Sequence, residues 1–160
     1  MSNIIYQIGD TTNPQSTGNK LIVHCCNDIG VWGKGFVLAI SKRWSKPQKA
    51  YRQWHKNRFD SDNDFALGSV QFVQVEMDVW VANLIGQRGI SSKLNPFPIR
   101  YDAIKQGLVK AADFAVTNSC SIHMPHIGCG LAGGSWKQVS YIIEQTLVDK
   151  GLCVTVYALA

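Results

Sequence analysis

The chain has 160 residues, 46% hydrophobic and 17% charged, the size and balance of one globular domain with a true core. It contains no run of about 18 apolar residues, which excludes a membrane-spanning helix, and its opening Met1-Ser2-Asn3-Ile4 lacks a secretion-signal pattern, so a cytoplasmic location is expected. The net charge of +5 suits an anionic ligand, but Lys and Arg are scattered rather than striped, which leaves nucleic acid unsupported as a polymeric partner.

In chain order, residues 3–8 are β-rich and end at Gly9-Asp10. Residues 20–24 (Lys-Leu-Ile-Val-His) form a continuous apolar run, the pattern of a strand covered on both faces. A loop opening at Cys25 and holding Gly30, Gly33 and Gly35 follows, then a helix over 36–44. A second helix is predicted over 46–56, with Ser45 as its cap and Pro47 in its first turn. Residues 67–75 and 78–85 read as a hairpin around Glu76-Met77. Residues 86–98 form a long irregular loop, of a length often tied to function. Residues 100–116 predict an amphipathic helix buried along Ala103, Ile104, Leu108 and Ala112. A short strand at 121–125, a helix over 135–150 and a strand over 152–159 close the chain.

Four glycines, Gly128, Gly130, Gly133 and Gly134, fall between that short strand and the last helix. Strand, glycine loop, helix is the order of an anion cradle. Glycines let backbone N–H groups crowd an anion, and the helix N-terminus adds about half a positive charge. Gly128, Gly130 and Gly133 also spell G-x-G-x-x-G, but a dinucleotide fold needs an acid ending the next strand, and Asp149 precedes that strand instead. Alternating strands and helices give an α/β sandwich with a largely parallel sheet, in which two glycine loops facing each other would suit a diphosphate. The five cysteines show no framework spacing and no C-x-x-C, so reduced thiols and no metal site or cofactor are expected.

These segments together resemble the macrodomain family, the ADP-ribose-binding fold. The resemblance rests on Gly9-Asp10, on residues 23–39, on residues 124–136 and on Val154-Thr155-Val156-Tyr157, and it covers nearly the whole chain. It is similar to the branch containing terminal ADP-ribose glycohydrolases, DNA-ADP-ribose-removing antitoxins and yeast-type ADP-ribose 1″-phosphate phosphatases. It implies a single domain over 1–160, a three-layer α/β/α sandwich with a mixed, largely parallel sheet. It also implies a monomer whose partner is ADP-ribose or an ADP-ribosylated substrate.

By resemblance, Asp10 and Thr11 take the adenine side, with Tyr157 packing on the base or in the core. Gly128, Cys129, Gly130, Leu131, Ala132, Gly133 and Gly134 make the phosphate loop, the amides of 130–135 holding the diphosphate. Gly33, Lys34, Gly35 and Phe36 line the distal ribose, and Trp32 is either a lid on it or a staple under the loop. Cys129 reads as a packing residue rather than a nucleophile. Of His123 and His126, one is expected to be buried and one exposed.

Two positions depart from the branch. Gln87 stands near the place of its lysine, and Ala132 stands where some members carry Asp. Glutamine can form no Schiff base and is no general base at neutral pH. The catalytic candidates are therefore His24, Asn27, Asp28 and Gln87. The expected function is ADP-ribose binding with hydrolysis of an ADP-ribose derivative at the distal ribose, by de-ADP-ribosylation or 1″-dephosphorylation. The alternative is a non-catalytic reader.

Overall fold

A computed structural model of the chain describes residues 3–159; Met1, Ser2 and Ala160, which belong to the expected domain bounds and the leader reading, lie outside the described residues. The apolar run at 20–24 becomes the centre of β2 (Asn19–Asn27). This strand pairs in parallel with β4 (Val79–Gln87) on one side and with β5 (Cys120–Met124) on the other. Beyond β5 lie β6 (Val154–Ala158) and then β1 (Ile5–Ile8), both parallel, while β3 (Val70–Glu76) closes the other edge antiparallel to β4. The sheet order is β1-β6-β5-β2-β4-β3, mixed and largely parallel as expected.

Side chains alternate across the sheet and feed two cores. Leu21, Val23, Ala82, Leu84, Ile122, Met124, Val154 and Val156 face α3 (Tyr101–Asn118) and α4 (Trp136–Thr146). Ile22, Cys26, Val81 and Ile85 face α1 (Phe36–Arg43) and α2 (Lys46–Lys56). The buried stripe of α3 contains the expected Ala103, Ile104, Leu108 and Ala112, together with Gly107, Ala111 and Ala115. Gly107 is required there, because a Cβ would run into the Leu84 side chain. Burying each large aliphatic contributes about 1.5–3 kcal/mol, so both layers are held mainly by this stripe-on-sheet packing.

Three local expectations are corrected. β2 runs on through Cys25, Cys26 and Asn27, which pair with Leu84, Ile85 and Gln87 of β4 instead of opening the loop. The last helix ends at Thr146, and a separate 3₁₀ turn (Val148–Lys150) follows before Gly151, whose φ of 79° is left-handed. Ser45 stands at the N-cap of α2 but its side chain makes no capping bond; Pro47 in the first turn is as expected. Five parallel strands end on one edge of the sheet, which is where ligands of such sheets bind.

Candidate functional site

A cleft of about 560 Å³ opens on that edge, between the loop after β2 and the loop after β5. In the second loop, Gly134 N donates to Gly128 O (2.7 Å), Gly133 N to Gly130 O (3.0 Å), Cys129 N to His126 O (3.2 Å) and Ser135 N to Tyr101 Oη (2.9 Å). A Cβ at Gly134 would collide with the Gly128 carbonyl, and Gly128 and Gly133 hold φ of 71° and 75°, so these three glycines are required to shape the loop. The N–H groups of Gly128, Gly130, Leu131 and Ala132 have no acceptor within the described residues. Within the expected cradle at 130–135, Gly133 and Gly134 spend their amides on the loop itself and Ser135 gives its amide to Tyr101, so the open donors are those of Gly128, Gly130, Leu131 and Ala132.

The facing wall is built the same way. Asn27 Oδ1 accepts from Ile29 N (3.0 Å) and Val31 N (3.1 Å), and its Nδ2 donates to Val31 O (2.7 Å). Tyr51 Oη donates to Asn27 O (2.6 Å) and stands 2.8 Å from Oδ1. This buried clasp fixes the turn and frees the amides of Gly33, Lys34 and Gly35, followed by Phe36 and Val37 at the start of α1, whose N-terminus carries no side-chain cap. Gly35 has φ of 81°, and a Cβ there would lie 3.7 Å from Leu131 Cδ1 of the opposite loop. The two loops therefore confront each other. Among the residues lining the cleft none is Asp or Glu, and Lys34 is one of them.

Three of the four catalytic candidates, His24, Asn27 and Gln87, line the cleft while Asp28 does not, and all four are engaged in hydrogen bonds within the protein. Asp28 Oδ1 accepts from Gly89 N (2.7 Å), and Gln87 Nε2 donates to Gly89 O (3.0 Å), so both pin the 88–100 loop to the sheet. Asn27 holds its own loop as described, with one amide hydrogen still uncommitted. His24 is 1% exposed, with Trp32 edge-on to its ring and Phe36 tilted against it. Asn83 Nδ2 donates to Pro47 O and Gln71 Oε1, which turns Asn83 Oδ1 toward His24 Nε2 at 2.6 Å and places the imidazole proton on Nε2. Burial pulls its pKa down to about 4, against the opposing pull of the Asn83 bond. Such a group is a poor proton donor or acceptor for chemistry at neutral pH.

On the adenine side, Asp10 Oδ1 accepts from Thr12 N (2.8 Å) and Thr12 Oγ1 (2.7 Å), an Asx turn that leaves its second oxygen uncommitted. Thr11 is buried rather than presented. Tyr157 is buried, its hydroxyl 2.7 Å from His123 Nδ1, so it is tied into the core polar network rather than presented to a base. Trp32 is the staple, not the lid: it is buried and its Nε1 donates to Ser41 Oγ (2.7 Å). Gly33, Lys34, Gly35, Phe36, Gly128, Gly130, Leu131 and Ala132 line the cleft, whereas Cys129, Gly133 and Gly134 do not. Burial raises the Cys129 thiol pKa, consistent with packing rather than attack. The sequence reading missed Val31, Val37, Ile90, Ser91 and His126, which also line the cleft. His126 is the half-buried member of the histidine pair, packed by Tyr6 and Trp136. Only the length of the 86–98 loop signalled Ile90 and Ser91.

His24 and His123 have a consequence for stability. Burial holds both at a pKa of about 4 in the folded chain, against about 6.5 when unfolded; Lys20 adds to the effect at His123. Between those values the unfolded state binds more protons. Stability is therefore full above about pH 6.5 and falls as the pH drops toward 4, by on the order of 2 kcal/mol per histidine at pH 5. Urea unfolding at pH 7.5 and pH 5.0 measures this; an unchanged midpoint would mean that neither ring is shut off from water.

An α/β/α module with an acid-free cleft between two open-amide loops is the class that fold and site define. A scan of family models finds no match. Among solved structures, the chain is 51% identical to a macrodomain protein from Streptomyces coelicolor, with a TM-score of 0.87 over 99% of this chain and 100% of that one. It is 52% identical to a protein of unknown function from Bacteroides thetaiotaomicron, with a TM-score of 0.91 over 97% of both. The chain belongs to the macrodomain family.

Curated relatives include the chromodomain-helicase-DNA-binding protein 1-like of Danio rerio, 30% identical over 96% of this chain; the chain spans only 15% of that protein's length. The ADP-ribose glycohydrolase OARD1 of Bos taurus is 26% identical over 99% of this chain and 93% of its own. The ADP-ribose 1″-phosphate phosphatase of Candida albicans is 27% identical over 89% and 92% respectively.

Proposed function

We propose that this chain binds ADP-ribose, with the diphosphate between the two loops, the adenine toward Asp10 and the distal ribose toward Gln87 and Ile90. The observation that carries the reading is the set of unpaired amides on two confronting loops, Gly33–Val37 on one side and Gly128 with Gly130–Ala132 on the other, in a cleft with no lining carboxylate. Fixed N–H dipoles of this kind stabilise an anion without any reorganisation on binding. The assigned direction is in keeping with strand order: Asp10 follows β1 at one margin of the sheet, and Gln87 ends β4 toward the other. Calorimetry with ADP-ribose, ADP and ribose 5-phosphate tests it; ADP-ribose binding in the micromolar range supports it, and silence at millimolar concentration removes it.

Asp10→Asn probes the adenine end. An asparagine carbonyl can still accept both Thr12 bonds, so the turn and the stability should persist. Its amide would then present donors to the adenine amino group. The expected result is about tenfold weaker ADP-ribose binding, with inosine diphosphate ribose gaining relative to it, on the scale of one charge-assisted hydrogen bond. Equal loss for both nucleotides would place the base elsewhere.

A second reading, hydrolysis at the distal ribose, draws on the glycohydrolase and phosphatase relatives and on the second oxygen of Asp28, which carries no bond within the described residues. Asp28 follows the cleft-lining Asn27 and is not itself among the lining residues, so that oxygen would act through a water, without general-base help from a lysine or from the buried His24. Turnover of ADP-ribosylated protein or of ADP-ribose 1″-phosphate, abolished in Asp28→Asn, would establish it. Tight binding with no turnover of either leaves the reader.

A further inference from the structure

The β4 end of the cleft carries an apolar rim. Val31, Ile90 and Leu131 line the cleft and are exposed there; Ile29 is exposed beside Val31. Phe97 is 66% exposed and abuts the second loop, since a Cβ at Gly133 would lie 2.9 Å from Phe97 Cδ1. Leu94 is 99% exposed. These side chains are not outside by accident of a loose loop. Ser92 and Asn95 exchange both backbone bonds (3.1 Å each), and Asn95 Nδ2 donates to Arg88 O and Ile90 O. The Arg100 guanidinium donates to the carbonyls of Phe97, Pro98 and Ile99. An ordered polar frame thus displays Leu94 and Phe97 to solvent.

The charges around the rim are mostly positive. Lys34 lines the cleft and residues 87–100 carry Arg88, Lys93 and Arg100 with no Asp or Glu, while Asp28, held through Oδ1 by Gly89 N, is an acid beside them. Given the orientation of ADP-ribose argued above, on which this inference rests, anything attached at the distal ribose must leave the cleft across this rim. The rim is mostly aliphatic, with Phe97 its one aromatic ring. Nucleic-acid bases are held by flat stacking faces, whereas aliphatic patches ringed by charge fit a polypeptide.

We propose that this rim docks the polypeptide to which the ADP-ribose is attached, favouring apolar residues flanked by Asp or Glu. Leu94 and Phe97 are its contacts beyond the nucleotide cleft. Calorimetry would compare free ADP-ribose with three conjugates: a peptide carrying ADP-ribose on a serine between Leu and Glu residues, the same peptide with Ser and Lys in their place, and an ADP-ribosylated oligonucleotide. The wild-type chain should bind the Leu–Glu conjugate about tenfold or more tightly than free ADP-ribose. The Leu94→Ser/Phe97→Ser variant should lose that gain while binding free ADP-ribose within about twofold of wild type; both positions are exposed, so its thermal midpoint should hold. Equal affinity for conjugate and free nucleotide, an equal gain for the Ser–Lys peptide, or a gain for the oligonucleotide alone would each overturn the proposal. With free ADP-ribose still bound, the failure belongs to the docking rim; with it unbound, the cleft reading falls too and takes the rim with it.

Discussion

Gly130→Glu should abolish ADP-ribose binding while leaving the fold intact. A Cβ at Gly130 would meet nothing within 4 Å and the residue does not hold a positive φ, so a side chain is accommodated without strain. The same residue contributes one of the open amides and lines the cleft. A carboxylate there fills the space meant for phosphate and repels it. The expected loss is at least 100-fold in affinity, about 2.7 kcal/mol or more, with a thermal midpoint moved by no more than about 2 °C. Gly134→Ala is the opposite control. Its methyl would strike the Gly128 carbonyl that closes the loop, so stability should fall by roughly 1–3 kcal/mol, the cost typical of forced overpacking. A Gly130→Glu protein that binds normally would show that the diphosphate lies elsewhere.

Asn27→Ala carries the second large effect, and it is on stability. The buried amide joins Ile29 N, Val31 N, Val31 O and the Tyr51 hydroxyl in one clasp. Removing it leaves the half-buried Ile29 N, Val31 N and Val31 O short of a partner, while Tyr51 keeps its bond to the residue-27 carbonyl, at a cost of roughly 1–3 kcal/mol in all. Denaturant unfolding measures that loss. Loss of ADP-ribose affinity without loss of stability would mean that Asn27 serves as a ribose ligand rather than as the scaffold of the loop.

Much of the architecture was open to reading from residue pattern. The bounds of α2 follow from Pro47 in its first turn, and the apolar run at 20–24 announced a central strand. That the two glycine loops stand opposite each other follows from both coming after parallel strands adjacent in the sheet. The site's inner economy of hydrogen bonds was not legible, because it depends on partners far apart in sequence. Whether an amide is free depends on which carbonyl folds back to meet it. Ser135 loses its amide to Tyr101, and His24 is kept neutral by burial and held in orientation by Asn83, 59 residues away. Asp28 and Gln87, 59 positions apart and each plausible as a catalyst by type, converge on the two polar groups of Gly89. Trp32 reads as a lid or a staple from its glycine neighbours alone; the Ser41 hydroxyl and the burial of the ring decide for the staple.

The most direct measurement is a titration of ¹⁵N-labelled protein with ADP-ribose, following each backbone amide by NMR. The account predicts that the largest saturating shifts fall on Gly33–Val37 and on Gly128, Gly130, Leu131 and Ala132, with Gly133 and Gly134 moving little because their N–H groups are already bonded. Shifts confined to one loop, centred on Gly133–Ser135, or absent from both would contradict it.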